Sequence, residues 1–199
     1  MRNLAFSLLI MLAAGSTYAQ NATTSRCSLQ EMAIDAALGN ATAQYNLGVE
    51  FYRGEAVPRD YSKAAAMWRR AGEGGITAAF NNLGYLTYNG YGVKQDYAEG
   101  VRLWRVAAEK GLAESQVHLG EAYADGKYLR RDYIEAYAWA EAGRYNAEQD
   151  IGMNIEPDIS RKILEMAKKF LSATRRNLTN AQLAQAETKA KEYIGKFRK

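Results

Sequence analysis

The sequence predicts an all-α fold, an α/α solenoid of three helical hairpins with capping helices at both ends, and three observations predict it. First, residues of several types recur 36 apart. Leu47-Gly48, Leu83-Gly84 and Leu119-Gly120 do so, as do Gly54, Gly90 and Gly126, and as do Asp60, Asp96 and Asp132, each followed by Tyr. Trp68 and Trp104 share the spacing, and Gly75 recurs as Gly111. A period of this size is that of a stacked helical hairpin. Second, the chain has only 2 Pro in 199 residues and is rich in Ala, Glu, Lys, Gln and Leu, which favour helix. Third, apolar residues fall at helical spacing within each period.

The elements follow in order. Residues 1–19 carry Arg2, an apolar run from Leu4 to Gly15 and the small-residue pattern Thr17-Tyr18-Ala19, which together read as a secretory signal peptide. Cleavage after Ala19 is expected, with an uncleaved anchor as the alternative, and a bacterial periplasm is the expected compartment. The segment before Cys27 lacks the small apolar residues that precede a lipidated cysteine. Cys27 is the single cysteine, so no internal disulfide forms; it is either an intermolecular partner or a small half-buried residue near a terminus. In 20–39, Ser28 to Leu38 forms a short helix with Leu29, Met32, Ala33 and Ala36 on one side, suited to covering the first repeat.

The repeats are assigned to 40–75, 76–111 and 112–147. In the first, Ala43, Leu47, Gly48 and Phe51 form one helical stripe. A glycine inside a helix costs about 1 kcal/mol relative to alanine, so Gly48, Gly84 and Gly120 imply close approach of a neighbouring helix. Gly54, Gly90 and Gly126 stand where a left-handed helix cap is wanted. Asp60, Asp96 and Asp132 are N-caps of the second helices, and Glu99 and Glu135 complete a capping-box pattern. Trp68 and Trp104 lie on the buried side eight residues after the cap. Trp139 comes one residue early, which marks the third unit as a boundary. Beyond Arg144 a loop with Gly152 and Pro157 is expected, then a helix from Asp158 to Arg175 and another from Thr179 to about Phe197. The 148–199 segment is thus a pair of capping helices, as the ends of a solenoid require.

The pattern YNLG-x-x-(aromatic)-x-x-G, followed by DY-x-x-A-x-x-x-W-x-x-A and a closing Gly, closely resembles the Sel1-like repeat, a relative of the tetratricopeptide repeat. The resemblance covers about Asn40 to Ala147. It implies that the first helix of each repeat lines a concave surface that binds a protein or peptide.

Two stripes are therefore distinguished on those helices. The offset stripe supplies the candidate partner-binding residues: Tyr45, Val49, Tyr52 and Arg53 in the first repeat, Asn81, Tyr85, Tyr88 and Asn89 in the second, and Val117, Glu121 and Asp125 in the third. Tyrosine offers rigid contact area with a polar tip and is enriched at binding hot spots. The same tyrosines also fit a role as filler between helices, and His118 fits either a structural hydrogen bond or ligand contact.

Catalysis is not expected. His118 is the single histidine, which leaves no multi-histidine metal site and no ready triad. The glycines follow the repeat and form no phosphate loop. No cofactor, no metal and no nucleic acid are expected. The charge is uneven: Ser160 to Lys199 holds 11 Lys+Arg against 3 Asp+Glu, while Gln20 to Ile159 holds 14 against 19. The basic tail, with Arg161, Lys162, Lys168, Lys169, Arg175 and Arg176, has three readings: a solvated face, a dock on the acidic repeats, or weak contact with an anionic surface. The expected molecule is a monomeric, periplasmic, non-enzymatic adaptor. Its rivals are an immunity protein against a secreted toxic effector and a module of peptidoglycan or surface-polymer assembly.

Overall fold

A computed structural model describes residues 21–197, with side chains from Leu29 onward. The signal-peptide expectation and the Cys27 thiol lie outside what is described. Among the described residues the chain is helical throughout. Its helices are α1 (Asn21–Ala37), α2 (Ala41–Arg53), α3 (Tyr61–Glu73), α4 (Thr77–Asn89), α5 (Tyr97–Ala108), α6 (Ala113–Asp125), α7 (Tyr133–Gly152), α8 (Pro157–Arg175) and α9 (Asn180–Lys196). None is long and apolar enough to cross a membrane. The helices divide into two compact units, one ending at Ala79 and the other starting at Phe80.

In the first unit, α2 packs on α3, and α1 packs on α2. Asn40 caps α2 by accepting from the Ala43 N–H, and Asp60 caps α3 by accepting from the Lys63 N–H. Ser62 Oγ also donates to Asp60. That hydroxyl and the Lys63 amide hold the carboxyl down, from an ordinary 3.8 to about 2. Gly54 closes α2 with φ 74°, a conformation that favours glycine. Gly48 does what its spacing predicts: a Cβ there would lie 2.5 Å from Trp68 Nε1, and the indole donates to the Tyr45 carbonyl at 3.2 Å.

The first cap helix proves to be more than a lid. Gly39, with φ 96°, stands 36 residues before Gly75 (φ 96°) and 72 before Gly111 (φ 80°). Gln44 donates to the Ala36 carbonyl as Gln116 donates to that of Ala108, both across eight residues. Helix α1 thus occupies the place of the second helix of a preceding repeat.

The second unit repeats the plan and then departs from it. Trp104 Nε1 donates to the Asn81 carbonyl at 3.2 Å, and a Cβ on Gly84 would come within 2.8 Å of the same indole. Asp96 and Asp132 cap α5 and α7. In the third repeat Ala140 stands where the tryptophan would be. There Gly120 faces Ala140, and a Cβ on it would meet the Ala136 carbonyl oxygen at 2.6 Å. Small residues on both sides let α6 and α7 meet backbone to side chain.

Trp139, displaced by one residue, serves the C-terminal cap. Its ring stacks on Tyr193 (centroids 4.3 Å) and Phe197 (5.5 Å) of the α9 end. The displacement takes the indole N–H from the Val117 carbonyl, the counterpart of the acceptors in the earlier repeats. Buried Trp139 Nε1 has no hydrogen-bond partner among the described residues.

Two expectations are corrected here. Helix α7 does not yield to a loop after Arg144; it runs on to Gly152. Arg144 bridges Glu141 and Glu148 along the helix, and Asn146, buried, donates to Gln116 Oε1 at 2.9 Å, so the extra turns are held on both faces. Glu135 does not reach back as a capping-box glutamate. Its carboxylate accepts from Lys189 Nζ and, at 2.8 Å, from Tyr193 Oη, tying the start of α7 to α9. The reciprocal box is formed instead by Thr179 and Gln182 at the start of α9.

Candidate functional site: a cleft between α4 and α6

The candidate site lies wholly in the second unit. A cleft of about 390 Å³ is lined by Tyr85, Tyr88 and Asn89 of α4, Trp104 of α5, His118, Glu121, Ala122 and Asp125 of α6, and Lys127 just beyond α6. Its two walls differ in chemistry because the helical stripes that form them differ. Residues 85, 88 and 89 are neighbours on one face of α4, as are 118, 121 and 125 on α6. One wall is therefore aromatic and the other mainly carboxylate.

Trp104 forms the floor and is only 3% exposed. The His118 imidazole stacks on it at 4.8 Å and 26°, and Tyr88 lies against it at 4.8 Å. His118 Nδ1 is 2.9 Å from Glu121 Oε2; a carboxylate can only accept, so Nδ1 is the donor. Nε2 lies 4.0 Å from Glu114 on the preceding turn. At the other end of the cleft Tyr88 Oη donates to Asp125 Oδ2 at 2.8 Å, and Lys127 Nζ pairs with the same oxygen at 2.9 Å. Burial pushes the Tyr88 phenol well above its ordinary value, and the Asp125 carboxylate adds to the shift. For Asp125 burial acts upward, but the bonds from Lys127 and Tyr88 outweigh it and hold the carboxyl below its usual range.

The predicted stripe resolves into three sets. Tyr85, Glu121 and Asp125 are half-buried, Asn89 is exposed, and all four line the cleft. In the first unit Tyr45, Val49 and Tyr52 are half-buried and Arg53 is exposed. Tyr52 sits 5.5 Å from both Tyr61 and Trp68, as Tyr88 sits between Tyr97 and Trp104, so both tyrosines pack between helices; Tyr88 is buried and meets the cleft only at its edge. The third set is a correction. Val117 is fully buried, its Cγ2 filling the space that Gly143 of α7 leaves open. Asn81 is only 2% exposed, and its amide donates to Glu114 at 2.8 Å and accepts from Ser115 at 2.7 Å. Both cross-link helices and offer no surface. Trp104, taken as a packing residue, and Lys127, outside every repeated position, complete the cleft; the second carried no signal in the repeat.

Comparison with known proteins agrees with this architecture. The Sel1 repeat model matches residues 41–76, 78–112 and 113–143, just over half of the chain. The chain belongs to the Sel1 repeat family. A protective antigen present in uropathogenic Escherichia coli strains, displaying an SLR fold, is similar over 98% of this chain at 26% identity and TM-score 0.58; the chain spans 45% of that protein's length. A Sel1 repeat protein from Oxalobacter formigenes matches at 25% identity and TM-score 0.52, over 65% of this chain and 98% of its own. No curated protein matches. Sel1 repeats generally mediate protein–protein interaction, and their fold is typically a non-catalytic scaffold.

Proposed function

We propose that this Sel1 repeat protein is an exported, periplasmic adaptor that holds a protein or peptide partner in the cleft between α4 and α6, and that it performs no catalysis. The observation that carries the reading is the cleft itself: two helices of successive repeats expose aromatic and carboxylate groups toward each other over an indole floor, while the glycine and tryptophan positions around it are consumed by packing. Aromatic residues such as half-buried Tyr85 in a depression of this kind are the usual anchors of a protein interface.

Site-specific photocrosslinking tests it. A benzophenone amino acid at Tyr85 should yield discrete adducts in cells, whereas the same group at exposed Lys169 on α8 should not. The same adducts from both positions, or none from Tyr85, would overturn the reading. Tyr85→Ala should weaken capture while helicity stays unchanged. Export is tested by the N-terminus of the protein recovered by osmotic shock. Gln20 as first residue supports it, and retention of Met1 in the cytosol refutes it.

A further inference from the structure

We propose a second surface, separate from the cleft and independent of the adaptor reading: the turn between α7 and α8, with one flank of α8, seats the protein on an anionic lipid bilayer without crossing it. Among the described residues, three of the exposed large hydrophobic side chains, Met153, Ile155 and Ile159, fall together at this turn. They are 44% to 56% exposed, at a place where a chain reversal is ordinarily polar. The turn is pinned in place. The Ile155 N–H donates to the Asp150 carbonyl at 2.8 Å, and buried Ser160 Oγ donates to the Ile155 carbonyl at 3.2 Å. Asn154 and Glu156 stand at φ 57° and 39°, a left-handed conformation that persists in such residues only where the surroundings hold it. The three apolar side chains are thus presented on a fixed backbone.

Positive charge lies beside them. Residues 156–176 carry six Lys and Arg against Glu156, Asp158 and Glu165. Arg161 pairs with Asp158 and Lys168 with Glu165. On the last turns of α7, Glu148 pairs with Arg144 and Asp150 is buried. Lys162, Lys169 and Arg176 are exposed and form no ion pair among the described residues. They stand seven residues apart, hence in one row along α8 and its C-cap, about 21 Å long at the helical rise. Ile159, Met166 and Ala173, each three residues earlier, form a parallel row; Ile159 and Ala173 are exposed and Met166 is half-buried. A row of cations beside an apolar row that begins in an apolar turn suits a bilayer. The turn enters among the headgroups, and the lysine heads stay at the phosphates while their stems follow the apolar surface. A protein partner suits it less: lysine is depleted at protein interfaces, and three aliphatic side chains cannot supply the about 800 Å² that each partner of a stable complex buries.

The test is quenching of tryptophan emission from the full chain by vesicles with brominated acyl chains, made of phosphatidylglycerol or of phosphatidylcholine. Trp68, Trp104 and Trp139 are 2%, 3% and 2% exposed, so lipid chains do not reach them, and Ile155→Trp adds the reporting indole. The anionic vesicles should quench it saturably, and the zwitterionic ones only weakly at the same lipid concentration. Near an anionic surface each Lys contributes about fivefold in affinity. Lys162→Gln with Lys169→Gln, in the Ile155→Trp background, should therefore raise the lipid needed about 25-fold. Tyr128→Trp, at a side chain 55% exposed on the loop after α6, should be quenched by neither lipid, which separates seating through this turn from attachment by another part of the chain. Equal quenching by both lipids, equal quenching at both positions, or no effect of the two glutamines overturns the proposal. Two other occupants would show in the same assay. An Ile155→Trp emission shift that grows with protein concentration in the absence of lipid means that a second copy covers the turn. Release of quenching by phosphate beyond that caused by chloride of equal ionic strength means a site for free phosphate. Either result refutes seating on a membrane.

Discussion

Replacing Gly84 by alanine is the sharpest test of why a helix-breaking residue recurs in the middle of three helices. On an exposed helix the change would stabilise by about 1 kcal/mol. Here the added methyl would lie 2.8 Å from both Trp104 Cδ1 and Nε1 and 3.2 Å from the Gly100 carbonyl oxygen. The indole has little room to retreat: it is 3% exposed, with the Tyr88 and His118 rings each centred 4.8 Å away. Overpacking of this kind costs about 1–3 kcal/mol, and a tight site belongs at the upper end. Movement of the ring also stretches the bond from Nε1 to the Asn81 carbonyl, already 3.2 Å, worth about 1 kcal/mol. The net expectation is destabilisation by about 2 kcal/mol, a fall in Tm of about 4–8 °C for a chain of this size, with Gly84→Leu worse still. Thermal and urea unfolding followed by circular dichroism measures it. Gly84→Ala combined with Trp104→Phe, which removes the crowded edge, should cost less than the two changes added together. A Gly84→Ala protein as stable as the parent would refute the steric account of all three glycines.

Other outcomes follow from the caps and the tail. Asp60 is ionised more readily in the folded chain, at about 2 against 3.8, so its contribution is fully present above the unfolded value and is lost as the pH falls through the folded one. Asp60→Asn, which keeps a capping acceptor, should change stability by only a few tenths of a kcal/mol at pH 7. It should also flatten the loss of stability seen between about pH 4 and pH 2; an unchanged acid limb would show that the Ser62 and Lys63 bonds do not set it. Tyr193→Ala should cost about 2 kcal/mol by uncovering Trp139 and removing one of the two bonds to Glu135, and near-ultraviolet dichroism should report the loss of the Trp139 stack. No change in that signal would contradict the placement of α9.

The parts that were legible in the sequence are those that local physics repeats every 36 residues. Gly48, Gly84, Asp60, Asp96 and the left-handed caps at Gly54, Gly90 and Gly126 act through neighbours within one hairpin, and each acts as its spacing predicts. Gly39 was equally legible, being in register with Gly75 and Gly111, but a single residue without its companions does not declare a degenerate repeat. The illegible parts depend on partners outside the period. Glu135 meets groups 54 and 58 residues away, beyond the reach of any stripe argument. Val117 and Asn81 lie on the correct angular face of their helices, yet Gly143 and Ser115 close over them. A stripe gives direction; which neighbour covers it is a long-range fact.

The cleft itself follows from an alternation in residue size that the repeat conceals. Tyr88 has Tyr52 as its counterpart one repeat earlier and Ala124 one repeat later, and Trp104 has Trp68 and then Ala140. In the second repeat the large pair fills the hairpin and pushes its rings toward α6. In the third the small pair lets α6 and α7 close up through Gly120. A bulky layer beside a contracted one leaves a step at their junction, and the acidic stripe of α6 faces into it. Tyr85, Glu121 and Asp125 thus line that step because the third hairpin has no aromatic filler of its own, and Trp139, displaced by one residue, stacks on α9 instead.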